Sequence, residues 1–408
     1  MNIKTGAALR VTKKNWEEKK LGEVCTVIAG QSPEGKYYNS MSEGLPFYQG
    51  KKEFTEKYIG EPTTWTTVIT KEAVAGDILM SVRAPVGPVN FSTQKICIGR
   101  GLAAIRASKK IDAEYLFNFL VKHESEIVGN VGAVFASINK SQIESIRIPL
   151  PPLSEQHRIV AILDEAFVAI AKAKEHAEKN LQNARELFES YLQSVFANLG
   201  EGWEEKKLGD KNLIEIIDGD RGKNYPNKSD FSDEGYCLFM NTKNVRPDGF
   251  DFKTTMFITE KKDNILGNGK LQRNDVVMTT RGTIGNLGIY NDKVKYNNIR
   301  INSGMLIFRP NLKVIIPEYL FEILRSEIIK TQMKKYVSGA AQPQLPIKTL
   351  VSFTFPVPKS IPVQRTIVTK LNALSAETKK LEAIYKQKLA NLDELKKSVL
   401  QKAFDGDL

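Results

Sequence analysis

WEEKKLG occupies residues 16–22 and recurs unchanged at residues 203–209. Seven identical positions in a row do not arise by chance in a chain of 408 residues, so the chain is read first for duplication. The parallel extends outward. GDILMSVRAPVG (76–87) answers NDVVMTTRGTIG (274–285), which sets Arg83 against Arg281 and Gly87 against Gly285. EYLF at 114–117 answers EYLF at 318–321. IRIPLPPLSEQHRIV (146–160) answers SFTFPVPKSIPVQRTIV (352–368), keeping Pro149 with Pro356, Pro151 with Pro358 and Gln156 with Gln364. The offset between copies grows from 187 at the tryptophans (16 to 203) to 208 at the glutamines (156 to 364), and then stays constant. Two globular parts have therefore drifted in length while the segments after them have not.

The repeat is also cyclic. SYLQSVFANLG (190–200) runs straight into the second WEEKKLG, whereas its partner SVLQKAFDGDL (398–408) stops where a third would begin. The chain ends are therefore expected to lie close in space.

The length-matched segments read as helices. From Ser154 to Phe196 there is no Pro or Gly, and good helix formers dominate. Leu163, Phe167, Ile170, Leu181, Phe188 and Tyr191 recur at heptad-like spacing, interrupted by Lys174. Leu371, Leu374, Leu381, Tyr385, Leu392, Leu395 and Val399 form the second stripe, and prolines punctuate both starts. At about 1.5 Å per residue each segment makes a rod of roughly 60 Å. A stripe on such a rod needs cover, and the other rod is the expected partner, giving two long antiparallel coiled-coil helices in a pseudo-twofold cyclic arrangement; packing of each rod on its own globular half is the alternative.

Within the globular parts, GDILMSV and NDVVMTT read as strands led in by a turn, and QSPEGKYYN and DGDRGKNYPNKSD as loops. Short helices are expected at 112–122 and 316–330. The expected fold class is α+β, with globular domains at 1–153 and 201–360 and helices at 154–200 and 361–408.

The net charge is +12. Residues 1–150 hold 20 basic against 15 acidic side chains and residues 201–357 hold 24 against 19, an equal excess of +5, while residues 151–200 are acidic at −2. Two similar anion-facing heads fit this better than one basic tail. Cys25, Cys97 and Cys237 lie far apart, which excludes a disulfide framework or zinc ribbon and fits a reducing cytoplasm. The basic start lacks the apolar core of a secretory signal, and no apolar run reaches the length of a bilayer span. His123, His157 and His176 have no metal-ligand spacing, and no phosphate loop or nucleophile motif is present. Asp77 and Asp275 precede matched strands, where turn capping accounts for them better than metal binding.

Taken together, WEEKKLG twice, GDILMSVRAPVG with NDVVMTTRGTIG, and IPLPPLSEQHRIV with FPVPKSIPVQRTIV resemble the specificity subunit of Type I restriction–modification enzymes, over essentially the whole chain. Val363 before Gln364 departs from that family's usual Pro–x–x–Glu–Gln. The resemblance implies two target recognition domains, each reading one part of a bipartite, asymmetric site in double-stranded DNA. It implies two helices acting as a ruler for the gap between those parts. It implies as partners two DNA adenine methyltransferase subunits and the translocase/nuclease subunits. Adenosylmethionine, ATP and magnesium then belong to those partners, so this chain is expected to have no cofactor, no metal and no catalytic residues of its own.

Lys and Arg supply affinity through phosphates, while Arg, Asn and Gln read base edges. The residues of that kind in loops are Gln31, Ser32, Lys36 and Tyr37, then Gln49, Lys51 and Lys52, in the first half. Arg221, Lys223, Asn224 and Tyr225, then Asn241 and Lys243, are their counterparts in the second. Arg83, Arg281, Arg100, Arg300, Gln342 and Gln344 complete the candidates, with Arg83 and Arg281 foremost. A tandem DNA-binding regulator without methyltransferase partners, and a coiled-coil scaffold that never touches DNA, stand as the alternatives.

Overall fold

The computed structural model describes residues 16–129, 137–197, 199, 201–247, 249–336 and 344–408, the side chains of 125–129 excepted. The chain forms two compact units, Met1–Glu178 with Lys386–Leu408, and Lys179–Tyr385. The first is completed by the C-terminal segment, as the cyclic repeat requires.

Each unit is built on the same sheet. In unit 1, Cys25–Ala29 pairs with Leu102–Ala107, which pairs with Ile78–Ser81, which pairs with Val89–Phe91, all antiparallel. In unit 2 the same order runs Ile214–Asp218, Met305–Pro310, Val276–Thr279 and Leu287–Ile289. A second sheet holds one parallel pair in each unit, Phe47 against Cys97 and Leu238 against Ile299. The central strands Ile78–Ser81 and Val276–Thr279 are buried throughout, which is why both read as unbroken apolar runs.

The two strongest sequence repeats prove to be partners. Glu17–Lys20 pairs antiparallel with Arg147–Leu150, and Trp203–Lys207 with Thr354–Pro358. The WEEKK strand and the proline-bearing strand therefore close each globular half where the chain enters and leaves it. Tyr115 and Tyr319, from the EYLF repeats, each donate a hydrogen bond at 2.8 Å to a carbonyl of that second strand, Pro149 and Pro356. Burial pushes both phenols well above the usual range. Gln156 and Gln364 are fully buried, accept from the amides of Asp112 (2.8 Å) and Ile316 (3.0 Å), and donate to Pro151 and Pro358. A buried amide is kept only when it is satisfied, which explains both glutamines.

The expected short helices are Ala113–Gly129 in unit 1, and Pro317–Arg325 followed by Glu327–Lys334 in unit 2. The long helices run Leu153–Ala197 and Ile361–Asp405. The second ends at Gly406 (φ 79°), and the Asp407 amide donates to the Lys402 carbonyl at 2.9 Å. A left-handed glycine with that bond is the usual helix stop. Within unit 1, Lys174 pairs with Asp393, and Lys396 lies 5.1 Å above the Phe167 ring. Within unit 2, Arg185 pairs with Glu382 at 3.4 Å. In unit 1 the contacts run from Arg158 with Leu408 to Lys174 with Asp393, and in unit 2 from Arg185 with Glu382 to Tyr191 and Val195 beside Ile367 and Lys370, so the pairing is antiparallel in each unit. Both ways of covering the stripes are used. Ile159 and Leu163 join Leu400, Ala403 and Phe404 in the core of unit 1, and Phe188, Leu192 and Phe196 join Val368 and Leu371 in the core of unit 2.

The seam departs from the expected stripe at Leu381 and Leu395, which are 37% and 47% exposed. The inner line keeps the seven-residue spacing through Leu371, Thr378, Tyr385, Leu392 and Val399, the first two buried and the others half-buried, and its second row is made by the positions four residues on, where Glu382 and Lys396 are half-buried. Leu163, Ile170 and Phe188 are buried, and Phe167, Leu181, Tyr191 and Leu374 half-buried, on the facing stripe and its partner. Residues 1–15 lie outside the description, but Trp16 and Leu408 pack against one core, and Arg158 donates to the Leu408 carbonyl at 3.0 Å. The three cysteines are buried free thiols, and burial pushes Cys25 and Cys237 up to about 12.

Candidate nucleic-acid interface

The candidate DNA-reading residues gather where strands of the main sheet give way to turns. In unit 2, Arg281 follows the buried strand Val276–Thr279, and its backbone bridges Gln344. Asp218, Arg221, Thr280, Arg281, Gln344 and Lys348 line one groove of about 450 Å³. Arg221 is forked onto Asp218 (Nε 3.0 Å, Nη2 3.1 Å), and its Nη2 also donates to the Ser303 carbonyl at 3.1 Å. Arg281 is half-buried and makes no ion pair among the described residues. A guanidinium without an internal partner can spend its five donors on a ligand.

Unit 1 repeats the arrangement. Arg83 is exposed at the matching turn, with its backbone bridging Ser137. Ser81 donates to the Arg83 and Pro85 carbonyls (3.1 and 3.0 Å), and Thr279 donates to the Thr283 carbonyl at the same place in unit 2. These buried hydroxyls hold the arginine turns in shape. The exposed Arg100 side chain donates to no carboxylate among the described residues, and its backbone amide donates to Ser32 Oγ at 3.2 Å. Gln31 and Gln49 are exposed beside it, and their carbonyls accept from Thr70 Oγ1 and the Gly101 amide. Lys51 and Lys52 are exposed on a single turn of 3-10 helix. Lys36 pairs with Glu34 at 2.7 Å and covers the half-buried Tyr37 ring.

Several further candidates are held by their own unit. Arg300 is 4% exposed; its Nε is bonded to Asp263, and its Nη atoms donate to the carbonyls of Asn268 (2.7 Å), Asp263 (2.8 Å) and Leu266 (3.1 Å). It cannot reach a base edge, because every donor faces inward, and the expectation for it is corrected. Asn241 caps the turn Thr242–Asn244 by accepting from the Lys243 amide at 2.8 Å. Tyr225 packs edge-on against Phe239 in a small core. Asn224 donates to the Ile265 carbonyl at 3.3 Å, Lys223 and Lys243 are exposed, and Gln342 lies outside the described residues.

Sequence reading missed Lys348 and Asp218 in the groove, and the role of Arg106 and Arg309. Asp77 takes a two-pronged bond from Arg106 (2.8 and 2.7 Å), as Asp275 does from Arg309 (2.9 Å each). Each carboxylate also accepts the amide three residues before it, from Val74 and Gln272, so turn capping is real and the acids are spent. The arginines occupy matched positions on matched strands, a signal the repeat already carried. Among the described residues no group of three His, Cys, Asp or Glu side chains is placed to hold a metal ion. No described helix is long and apolar enough to cross a membrane.

A duplicated α+β unit with basic turns at the same sheet edge defines a double DNA-specificity module. Residues 13–180 and 200–391 each match the Type I restriction modification DNA specificity domain, and the chain belongs to that family. Among similar proteins, a putative type I restriction enzyme MjaX specificity subunit of Methanocaldococcus jannaschii is 44% identical over 173 residues, a match spanning 40% of each chain. The MjaVIII specificity subunit of the same organism is 24% identical over all of this chain and 96% of its own length. The EcoBI specificity subunit of Escherichia coli is 20% identical over 97% of this chain and 86% of its own. The fold matches a chain from a solved type I restriction–modification system (TM-score 0.77, 21% identity, 96% of this chain and 98% of that one). It also matches the HsdS subunit from Thermoanaerobacter tengcongensis (TM-score 0.61, 20% identity, 96% and 97%). These matches bear out the specificity-subunit reading over that of a stand-alone regulator.

Proposed function

We propose that each globular unit reads one part of a bipartite, asymmetric site in double-stranded DNA, and that the antiparallel helices set the gap between the parts. The observation that carries this reading is the repeated turn: Arg83 and Arg281 emerge at equivalent turns, one per unit, Arg281 sharing a groove with Arg221 and Lys348, and the residue before Arg83 donating its amide to the Gly101 carbonyl at 2.9 Å, next to Arg100. The chain does no chemistry. It positions two adenine methyltransferase subunits, and then translocase/nuclease subunits, which bring adenosylmethionine, ATP and magnesium in the cytoplasm. A buttressed arginine reads the N7 and O6 edge of guanine, and one such contact discriminates by about 1–3 kcal/mol.

Arg281→Ala in the assembled methyltransferase should therefore relax or weaken reading of one half-site only, checked by mapping methylated adenines across a host genome. Equal loss at both half-sites would make the residue structural. Adding one helical turn, about 5.4 Å, to the paired helices should lengthen the gap by one or two base pairs of about 3.4 Å each. An unchanged gap in the methylated motif would end the ruler.

A further inference from the structure

The two units carry the same pair of turns, and an arginine and a serine have changed places between them. Ala29 faces Ala103 in unit 1 as Asp218 faces Leu306 in unit 2, so the turns that follow align residue for residue. Gly30 then corresponds to Gly219 and Ser32 to Arg221. On the opposing turn, Arg100 corresponds to Ser303 and Gly101 to Gly304. The close approach of the turns is the same in both. A Cβ on Gly30 would lie 2.1 Å from the Gly99 carbonyl oxygen, and one on Gly219 would lie 2.2 Å from that of Asn302. Across this contact Ser32 Oγ accepts from the Arg100 amide, and Arg221 donates to the Ser303 carbonyl. Each unit thus has one arginine and one serine on the pair, in opposite order.

We infer that Arg100 and Arg221 are equivalent DNA-contacting residues, each supplying its unit with a guanidinium at the same point beside Arg83 or Arg281, and that the group they meet is a backbone phosphate. The inference rests on the proposed DNA-reading role of the units. A base edge demands donors in one fixed geometry, whereas a phosphate tolerates a guanidinium arriving from either of two adjacent turns. Arg221 keeps Nη1 without a hydrogen-bond partner among the described residues, while Nε and Nη2 are held by Asp218 and Ser303. Arg100 has no carboxylate at the equivalent place, since Ala29 stands where Asp218 does.

The test uses the full-length chain and a fluorescein-labelled DNA duplex pool of randomised sequence. Arg221→Ser should weaken binding about fivefold and reduce the slope of log affinity against log salt by about one, without changing the sequences enriched from the pool. Arg221→Ser with Ser303→Arg moves the guanidinium to the turn it occupies in unit 1, and should restore both affinity and slope. A double variant that melts like the parent yet binds no better than the single one overturns the equivalence. An altered base preference in the single variant overturns the phosphate assignment. Should the parent chain itself show no salt-dependent binding, the DNA-reading role of the units falls first. Parental affinity in Arg221→Ser overturns this inference alone.

Discussion

Arg300→Ala is expected to cost unit 2 about 3–5 kcal/mol, the range for removing one partner of a buried ion pair. The side chain is 4% exposed, and its loss leaves a fully buried Asp263 with only Lys270 opposite, together with the carbonyls of Asn268 and Leu266 unpaired. Three short segments lose their common tie: the helix Glu260–Ile265, the turn after it, and the strand Ile299–Ile301. Arg300→Lys should recover only part of the loss, because an ammonium cannot reproduce a planar fork that reaches four acceptors. The measurement is urea unfolding followed by Trp203 fluorescence in a Trp16→Phe, Trp65→Phe background, where the one remaining tryptophan lies in unit 2. A shift below 1 kcal/mol would show that Arg300 is not fixed as described, and would return it to the DNA-binding candidates.

The same cluster sets a pH dependence. Burial alone would raise the Asp263 carboxyl, but hydrogen bonds from Lys270 and Arg300, and then their charges, more than offset it and hold it below the usual range. A carboxylate held low in the folded state stabilises at pH above its ordinary value, and that contribution is lost as pH falls through the folded value. Unit 2 of the parent should therefore lose stability on acidification below the ordinary carboxylate range. In Arg300→Ala the depression shrinks and the loss should begin at higher pH.

Arg300 and Arg281 also show where sequence reading reaches its limit. Both are arginines beside matched strands of one unit, yet one faces solvent and the other an acid 37 residues away. Residue type and local pattern cannot separate them, because the acceptor is chosen by tertiary packing. The long helices were legible because a run without Pro or Gly, an apolar period and the flanking prolines all agree locally. The seam was less so. Leu381 and Leu395, three residues on from Thr378 and Leu392, were expected inward, whereas the positions four on, Glu382 and Lys396, take the half-buried edge instead. The retained glutamines were visible as a repeat, but their task was not. Gln156 meets the amide of Asp112 and Gln364 that of Ile316, contacts between segments that only the closed fold brings together. For Arg83 and Arg281 the duplication foretold their equivalent places, which the two bridged turns display.

That cyclic duplication has a mechanical consequence at the far end of the chain. Phe404→Ala should destabilise unit 1 by about 3–5 kcal/mol, although residues 16–178 of that unit are left untouched. Phe404 is 3% exposed and sits against Tyr115 (centroids 5.1 Å apart) and edge-on to Phe119 (5.5 Å). Leu400 and Ala403 fill the same core with Ile159 and Leu163. Phe196 has the corresponding place in unit 2, edge-on to Tyr319 at 5.9 Å, so Phe196→Ala should destabilise that unit instead. Trp203→Phe leaves tryptophans only in unit 1, and the reciprocal background leaves one only in unit 2, so each loss is read where it falls. A core closed by the last helical turns of the chain must fail when those turns are cut back, even though the deletion lies hundreds of residues from the strands it exposes. Were Phe404→Ala to unsettle unit 2 and spare unit 1, the C-terminal segment would not complete the first unit, and the cyclic reading of the repeat would fail with it.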